Sequence, residues 1–372
     1  MLRVVHFIFK MDRGGIETLI MNLYRNIDRS KVQFDFAVHS KEKGDYDDEI
    51  KRLGGKIIYF PSFRNNPVKY MSEWRSFFRK NANYYNALHF HTPSLANIYP
   101  LKMAAKYNIP IRILHSHNTN FNRGRLQGLY NMIHEANKQK IDKFATDFFA
   151  CSIPAAEWLF GNEMINKGHV VLMRNGIETE KFLFNSEKRS LIRKELCLEG
   201  KFVIGNVGRL TYQKNHEFLV DVFAEVYKKN NNAVLLLIGK GELEENIKEK
   251  VSDLGLTEAV KFLGVREDIN SLFQAMDIFL FPSRYEGLGI VLIEAQASGL
   301  RGIASDVIPK DAKLTELIDF MSLNESKTKW ADEVLKCEQG YERRNTKQDL
   351  VNCGYDIKMV ASKYQEFLLS KG

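Results

Sequence analysis

The sequence predicts an α/β fold built from two Rossmann-like, doubly wound domains. Short apolar runs typical of buried strands alternate with segments whose apolar residues recur at helical spacing. Such alternation indicates parallel strands joined by helices, and it occurs twice, before and after an Asn175-Gly176 turn. With 372 residues, the chain is also long for one domain and sufficient for two. We therefore expect two parallel sheets, each with its own core.

The first half begins with a strand, a Gly14-Gly15 turn and a helix. Glycine there lets an anion approach the unpaired N–H groups of a helix N-terminus, so the turn would tolerate a phosphate. It does not match the G-x-G-x-x-G fingerprint, and an ordinary strand-to-helix turn uses glycine as readily. The predicted strands of this half cover 4–9, 32–38, 56–60, 87–90, 111–114 and 148–151, and its predicted helices start near 16 and cover 46–53 and 68–81.

Histidines cluster at the ends of two of these strands. The run at 87–90 leads to His91, and the run at 111–114 leads to His115 and His117. Residues just past the carboxyl ends of parallel strands line the ligand crevice of an open α/β sheet. A single histidine is usually structural, but two strands that each end in His-x-His favour a functional site.

The second half repeats the alternation. Its predicted strands cover 202–207, 234–238, 260–262, 278–281 and 302–304, and its predicted helices cover 217–229, 243–254, 269–275 and 290–298. The amphipathic stretch 357–369 predicts one more helix. We divide the chain into an N-terminal domain (1–180), a C-terminal domain (181–354) and a terminal helix (355–372).

Two cations flank the turn after the first strand of the second half. Arg209 and Lys214 stand in the run GRLTYQKN, which starts at Gly208. At a strand's carboxyl end, a guanidinium and an ammonium group can converge on a diphosphate and stabilise its charge as it leaves. Two unrelated surface cations could show the same spacing. The next predicted strand closes with another glycine turn, Gly239-Lys240-Gly241.

A strand, a glycine turn and a helix also make up residues 278–305, which read IFLFPSRYEGLGIVLIEAQASGLRGIAS. The turn contains Glu286, Gly287, Leu288 and Gly289, and the helix contains Glu294. The glycines would let a phosphate reach the N–H groups of the helix N-terminus, while the two carboxylates would face different parts of one ligand. Glutamates near the start of a helix also serve as caps, so these residues alone do not define a site.

Together, these runs resemble the retaining family 4 glycosyltransferases of the GT-B fold. The spacing of Glu286 and Glu294 matches the family's E-x7-E signature, and the run from Gly208 fits its G-R-L-x-x-x-K-N pattern. The sequence departs from the family at Arg301, where relatives usually have Pro-Val or a similar pair. The resemblance spans essentially the whole chain, although its sharp motifs lie in the second half. It implies two Rossmann-like domains that face each other across a cleft and are tied by the terminal helix.

The resemblance also implies roles for individual residues. The catalytic candidates are His117, Arg209, Lys214 and Glu286. The donor-binding candidates, with Glu294 at the ribose, are Gly14, Gly15, Gly208, Gly239, Gly287, Leu288, Gly289 and Glu294. The acceptor candidates are His91, His115 and Glu17.

The implied reaction moves a sugar, with retention, from a nucleotide-sugar to a hydroxyl of a saccharide or polyprenyl-linked acceptor. A UDP-sugar is the expected donor, and enzymes of this kind commonly build bacterial exopolysaccharide, capsule or lipopolysaccharide. No carboxylate cluster indicates a metal site, and the resemblance implies neither a metal nor another cofactor. Two alternatives stay open, a nucleotide-sugar epimerase of the same fold and a basic module that binds a membrane or nucleic acid.

The charge of the chain fits an anionic partner. It has 54 Lys and Arg against 46 Asp and Glu, a net charge of +8 and a pI near 9.0. The basic residues are dispersed among acidic ones, which argues against nucleic acid. No apolar run approaches the ~18 residues of a membrane span, so we expect a cytoplasmic protein. The basic, aromatic stretches 68–81 and 122–143 are compatible with attachment to the inner face of the cell membrane or with ordinary helices. Four distant cysteines predict neither a zinc site nor a disulfide.

Overall fold

The computed structural model describes residues 1–119 and 127–372. These residues form two compact units, one of Met1–Ile177 with Gly354–Gly372 and one of Glu178–Cys353. Each unit contains a parallel β-sheet with helices packed on it. The predicted α/β fold with two Rossmann-like domains is therefore confirmed.

The elements follow each other in strict alternation over most of the chain. The strands are β1 (Leu2–Phe7), β2 (Val32–Val38), β3 (Ile57–Tyr59), β4 (Ala87–Thr92), β5 (Ile111–Ser116), β6 (Asp147–Ala150), β7 (Val170–Leu172), β8 (Phe202–Val207), β9 (Ala233–Ile238), β10 (Val260–Gly264), β11 (Ile278–Phe281), β12 (Gly302–Ser305) and β13 (Ile318–Met321). The helices are α1 (Gly15–Asn26), α2 (Asp47–Arg52), α3 (Pro67–Asn81), α4 (Tyr99–Lys106), α5 (Gln127–Lys138), α6 (Ile153–Phe160), α7 (Asn162–Asn166), α8 (Thr179–Phe182), α9 (Ser186–Glu195), α10 (His216–Lys229), α11 (Glu244–Asp253), α12 (Ile269–Ala275), α13 (Ile290–Ala297), α14 (Lys327–Leu335), α15 (Lys347–Asn352) and α16 (Ile357–Lys371).

Both sheets have Rossmann-type strand order. The first unit has the order β3-β2-β1-β4-β5-β6-β7 and the second has β10-β9-β8-β11-β12-β13, with parallel pairing throughout the described strands. The order reverses between β1 and β4 and between β8 and β11. Ligands of such sheets bind outside the carboxyl ends of the strands at this switch point. The loops after β1, β4, β8 and β11 are thus the positions where a ligand-binding site is expected.

The core of the first unit lies on both faces of its sheet. On one face, Val4 and Phe34 belong to an apolar cluster that includes side chains of α1 and α16. On the other, Trp74 of α3 lies near Phe7 of β1 and stacks on Phe60 with ring centroids 3.9 Å apart. Because successive strand residues point to opposite faces, the single strand β1 supports both layers.

Helix α16 belongs to the first unit although it ends the chain. Asp356 begins it by accepting hydrogen bonds from the backbone N–H groups of Lys358 and Met359, at 3.0 and 3.2 Å, which satisfies donors that have no partner inside the helix. Tyr364 and Leu368 are buried in the apolar cluster. The terminal helix is therefore part of the core of this unit.

The second unit is held together by a continuous apolar cluster and by a carboxylate that bridges several elements. All six residues of β9 are buried, and Trp330 of α14 is buried in the same cluster. Asp277, just before β11, accepts hydrogen bonds from Arg189 at 2.5 Å and Arg193 at 3.2 Å and from the backbone N–H of Val203 at 2.7 Å. This carboxylate ties α9 to the central strands β8 and β11.

The basic, aromatic stretch at 68–81 is mainly a core helix. Tyr70, Trp74 and Phe78 are buried, whereas Val68 and Met71 are exposed. Part of the second basic stretch, 122–143, lies outside the described residues, and its described part contains α5. Within the described residues, no helix has both the length and the apolar character needed to span a membrane.

Predicted and observed element boundaries agree within two residues. The predictions omit two short strands, β7 and β13, and several helices, among them α4, α6, α14 and α15. Strands β4 and β5 continue two residues beyond their predicted ends. His91 and His115 therefore lie within the strands.

Candidate functional site

In the second unit, the loops that follow β8 and β11 are joined by hydrogen bonds. The backbone N–H of Arg284 donates to the Gln213 carbonyl at 2.8 Å, and the Gln213 side-chain amide donates to the Tyr285 carbonyl at 3.0 Å. These strands are neighbours at the switch point of the sheet. The two loops that carry the predicted cations and glutamate therefore form one surface.

Lys214 and Glu286 meet on this surface. The Lys214 Nζ atom donates to Glu286 Oε1 at 2.7 Å, and the Gln213 amide donates to Glu286 Oε2 at 3.3 Å. The Lys214 ammonium group also lies 4.7 Å from the centre of the Phe281 ring. The carboxylate and the ring hold the ammonium group in place at the carboxyl end of β11, which is where an anionic ligand of this sheet would bind.

Gly208 makes room for the lysine. A Cβ atom at this position would lie 3.1–3.3 Å from three carbons of the Lys214 side chain, so any other residue would push the lysine stem away. Arg209, the next residue, is exposed. Among the described residues, its guanidinium group has no hydrogen-bond or ion-pair partner. Two cations thus follow β8: Lys214, whose ammonium group is held by Glu286, and Arg209, whose guanidinium group is exposed.

The loop after β9 supports the loop after β8 from behind. A Cβ atom on Gly239 would lie 2.1 Å from the Gly208 carbonyl oxygen, and one on Gly241 would lie 2.3 Å from the Leu210 carbonyl oxygen. Gly239 also has a φ of +133°, which side-chain-bearing residues rarely adopt. Both glycines are needed for this direct backbone contact.

Helix α13 begins beside Glu286. Gly289 precedes it in a left-handed conformation, with φ +86°, and Gly287 and Leu288 are buried in the turn. Burial raises the pKa of Glu294, in the second turn of the helix, to about 8, although the nearby Lys214 charge opposes the shift. The Glu294 carboxyl group is consequently largely protonated at neutral pH and can donate a hydrogen bond.

Buried polar residues extend this site beyond the predicted ones. Asn215 has a left-handed backbone, φ +59°, and its amide donates to the Pro282 carbonyl at 3.1 Å. Neither ring nitrogen of His216 nor the Ser283 hydroxyl has a partner within the described residues, although all three atoms are buried. Burial, with a contribution from the Lys214 charge, lowers the pKa of His216 to about 4. Sequence reasoning missed these residues, although Asn215 and His216 directly follow Lys214.

In the first unit, the predicted position of two histidines is wrong. His91 and His115 lie inside β4 and β5 and pair with each other in register, rather than past the strand ends. His117 does follow β5 directly. The strands extend further than predicted because the imidazoles hydrogen-bond to one another, which removes the cost of burying polar rings in a sheet.

Five buried histidines form two hydrogen-bonded chains on one face of this sheet. In one chain, His6 Nδ1 lies 3.0 Å from His91 Nε2, and His91 Nδ1 lies 2.8 Å from His117 Nε2. In the other, the Tyr364 hydroxyl lies 2.6 Å from His89 Nδ1, and His89 Nε2 lies 3.0 Å from His115 Nδ1. We call these five residues, His6, His89, His91, His115 and His117, the histidine cluster.

The histidine cluster is neutral at ordinary pH. Burial lowers the pKa of His6 and of His117 to about 3. Burial, reinforced by the neighbouring imidazoles, holds the pKa values of His89, His91 and His115 well below the usual value. His6 was not predicted as a site residue. In the sequence, His6 could have been recognised as a histidine within the first buried strand. It lies two residues after Val4 and therefore on the same face of the sheet.

Gly14 lies directly before α1, as predicted, and Gly15 is the first residue of the helix. A Cβ atom on Gly14 would lie 2.2 Å from Glu17 Oε2, so the Glu17 carboxylate folds back over the start of the helix. Its negative charge is stabilised there by the helix dipole. An anionic ligand at this turn would have to displace that carboxylate.

Comparisons with known proteins identify the family of the chain. Residues 13–181 match the family model described as Glycosyltransferase Family 4, and residues 187–344 match the one described as Glycosyl transferases group 1. EpsF of Bacillus subtilis is 37% identical over 371 residues, which cover 96% of this chain and 93% of EpsF. The capsular polysaccharide biosynthesis glycosyltransferase CapH of Staphylococcus aureus is 25% identical over 378 residues, which cover 100% and 99%.

Solved structures show the same fold. The crystal structure of HepE from Anabaena in complex with UDP-glucose superimposes with a TM-score of 0.78 at 18% identity and covers 100% of both chains. The match to EpsF, together with the two family models, establishes the relationship at the level of sequence. The chain belongs to family 4 of the glycosyltransferases and has their two-domain GT-B fold.

Proposed function

We propose that this glycosyltransferase moves a sugar, with retention of configuration, from a UDP-sugar to a hydroxyl of a saccharide or polyprenyl-linked acceptor in bacterial surface polysaccharide synthesis. The observation that carries the donor assignment is the Lys214–Glu286 pair at the switch point of the second sheet, with the exposed Arg209 on the same loop as Lys214. CapH is a capsular polysaccharide enzyme, and HepE binds UDP-glucose. Both support this choice of pathway and donor.

In this proposal, positive charge holds the diphosphate of the donor. Arg209 has no competing partner among the described residues, and Lys214 is already fixed. Both can therefore stabilise the charge that develops on the leaving diphosphate. The backbone N–H groups of the Gly287–Gly289 turn, at the start of α13, would add to this stabilisation. These cations take the part that a divalent metal plays elsewhere, so we propose that the transfer needs no metal.

The two glutamates and one histidine would position the rest of the donor. Glu286 accepts hydrogen bonds from sugar hydroxyls through Oε2, the oxygen that also accepts from the Gln213 amide. Glu294, which is largely protonated, can both donate to and accept from the ribose hydroxyls. His117 orients the donor sugar. Gly14, Gly15, Gly208 and Gly239 remain candidates for donor binding, while His91, His115 and Glu17 remain candidates for the acceptor.

Retention would follow from attack on the leaving-group face. The acceptor hydroxyl approaches the anomeric carbon from the side of the departing diphosphate, the bond to the diphosphate breaks, and a diphosphate oxygen takes the hydroxyl proton. No protein nucleophile is required. An epimerase would instead need groups that eliminate and re-add the nucleotide, and no specific observation favours that alternative.

An exposed apolar surface could bring the enzyme to a lipid-linked acceptor. Val68 and Met71 of α3 are exposed, and Phe63 beside them is 44% exposed. Lys69 and Arg75 on the same helix are exposed as well. Apolar side chains flanked by cations are suited to an anionic membrane surface. We propose peripheral attachment of a cytoplasmic enzyme to the inner face of the cell membrane.

A donor panel tests the proposed function. Purified protein is mixed with a set of nucleotide-sugars, and the donor is the one that raises the melting temperature, since a ligand that binds only the native state stabilises it. Glu286→Ala should lose this shift. The anomeric configuration of the product, determined by NMR, tests retention, and turnover after treatment with a chelator tests metal independence. A changed nucleotide-sugar in the absence of an acceptor would instead show an epimerase.

A further inference from the structure

The histidine cluster has more ring nitrogens than its hydrogen bonds employ. His6 Nε2, His115 Nε2 and His117 Nδ1 are buried and have no partner within the described residues. A buried polar atom without a partner is costly. Among the described residues, two overlapping sets have one ring nitrogen each within 4.8 Å of the others, His6 with His89 and His91, and His91 with His115 and His117.

We propose that His91, His115 and His117 form a binding site for a d-block divalent cation of the zinc class. Imidazole nitrogens without carboxylates suit Zn²⁺, Co²⁺, Ni²⁺ or Cu²⁺ and do not suit Mg²⁺ or Ca²⁺, which prefer oxygen. The same three histidines are also the proposed donor-sugar and acceptor candidates, but binding a metal ion is a further property that the proposed sugar transfer does not require.

The hydrogen bonds select the ligand atoms. His91 Nε2 is engaged by His6 and His115 Nδ1 is engaged by His89, which leaves His91 Nδ1 and His115 Nε2 for the ion. His117 Nε2 already lies 2.8 Å from His91 Nδ1. Tetrahedral Zn–N bonds of ~2.0–2.1 Å place the nitrogens ~3.3–3.4 Å apart. The His91 and His117 rings therefore need to separate by only about half an ångström, and the ion replaces the proton that they share. His115 offers a ring nitrogen within 4.8 Å of the other two ligand atoms.

Outer partners of the kind that metal-binding histidines use are already present. The second nitrogen of a metal-bound imidazole usually hydrogen-bonds to another group, which fixes the orientation of the ring. His6 does this for His91, and His89, itself held by Tyr364 at 2.6 Å, does it for His115. His6 and His89 thus have a specific role that hydrophobic residues could not fill.

The same set is the more accessible of the two. His91, which both sets contain, is 5% exposed, and His117 is 6% exposed, whereas His6, His89 and His115 are fully buried. His117 lies at the carboxyl end of β5, so an ion can reach this end of the histidine cluster, and water or an anion can complete a four-coordinate site. We therefore assign the ion to this set and not to the deeper one.

Metal binding to protein without a polyhistidine tag tests the proposal directly. After chelator treatment and dialysis against Zn²⁺, elemental analysis should find one ion per chain, and Co²⁺ should give the visible absorption of a tetrahedral nitrogen site. His91→Gln and His115→Gln each remove a ligand. They should weaken Zn²⁺ binding by more than the ~10–100-fold that the loss of an outer partner costs.

His169→Gln is the matched control, because His169 is exposed and lies outside the histidine cluster. It should bind Zn²⁺ as the parent does. The proposal is overturned if the parent protein takes up no ion, if the folded His91→Gln and His115→Gln variants bind as tightly as the parent, or if His169→Gln abolishes binding. The parent measurement decides the matter even where a variant fails to fold. None of these readouts depends on sugar transfer, so a failure here leaves the proposed function untouched.

Discussion

The ammonium group of Lys214 lies 2.7 Å from the Glu286 carboxylate, although 72 positions separate the two residues in the chain. Their side chains are only 16% and 8% exposed. A pair withdrawn from water in this way is sensitive to the loss of either partner, because the remaining charge is left buried and uncompensated. The same pair also joins the loops after β8 and β11, so it links the stability of the second unit to the proposed donor site.

Lys214→Met should damage both stability and turnover. Removal of one partner of a buried ion pair costs about 3–5 kcal/mol, and removal of a group that stabilises a developing anion costs on the order of 10²–10³-fold in kcat. Urea unfolding and steady-state kinetics with the donor measure the two effects.

Lys228→Met is the control, since Lys228 pairs with Glu225 at 2.6 Å but is 70% exposed. Exposed pairs contribute about 0–1 kcal/mol, so this variant should resemble the parent. If the folded Lys214→Met variant binds the donor and turns over as the parent does, Lys214 has no part in the site.

Gly239→Ala should destabilise the second unit through a backbone clash. The added Cβ atom would lie 2.1 Å from the Gly208 carbonyl oxygen, at a φ of +133°. Gly255→Ala shares the positive φ, +67°, but its Cβ atom would meet nothing within 4 Å. A positive φ alone costs about 1–2 kcal/mol. We expect Gly239→Ala to lose clearly more unfolding free energy than Gly255→Ala in urea titrations, and equal losses would show that the contact between the two loops is not important.

The fold was predictable because buried parallel strands and glycine turns are local signals. Strand β9 is a continuous apolar run, and Gly289 precedes a helix in the sequence as in the structure. The strand order was not predictable from this alternation, because most strands are buried on both faces and the alternation does not specify which neighbour each strand pairs with. The cations and glutamates of the candidate site were identified because a family pattern places them, and not because their contacts can be read from the sequence.

The histidine cluster shows where local reasoning fails. Polar residues after an apolar run indicate the end of a strand, yet His91 and His115 continue their strands. Their hydrogen-bond partners stand 26 to 85 positions away in the chain, so nothing near them in the sequence reveals that they are satisfied. Trp74 is the converse case, an aromatic residue beside cations that looks suited to a membrane but stacks on Phe60 in the core.

Glu294 should make the stability of the protein depend on pH. Its pKa is about 8 in the folded chain against an ordinary value of 4.5, so between these values the folded state binds more protons than the unfolded state. The neutral Glu294 carboxyl group therefore contributes to the free energy of unfolding. This contribution is complete below pH 4.5 and is lost as the pH rises to about 8. Glu294→Gln stays neutral and should not show this loss.

The difference in unfolding free energy between Glu294→Gln and the parent isolates this group, because the other titrations cancel. The unfolding free energy of the variant minus that of the parent should increase as the pH rises from 5 to 8, and should then stay constant. A difference that stays constant over this range would mean that Glu294 ionises normally in the folded protein.

The exposed side chains of α3 should govern attachment to anionic vesicles. Val68→Ser combined with Met71→Ser removes the apolar surface that would insert among headgroups and leaves Lys69 and Arg75 in place. We expect sedimentation with vesicles that contain anionic lipid to fall for this variant, and parent binding to weaken as salt screens the attraction between the cations and the lipid. Leu191→Ser on α9 is the matched control, because Leu191 is as exposed, at 67% against 72% for Val68. Loss of binding in the control as well, or parent binding that is equal on neutral vesicles, would show that α3 is not the membrane-facing surface.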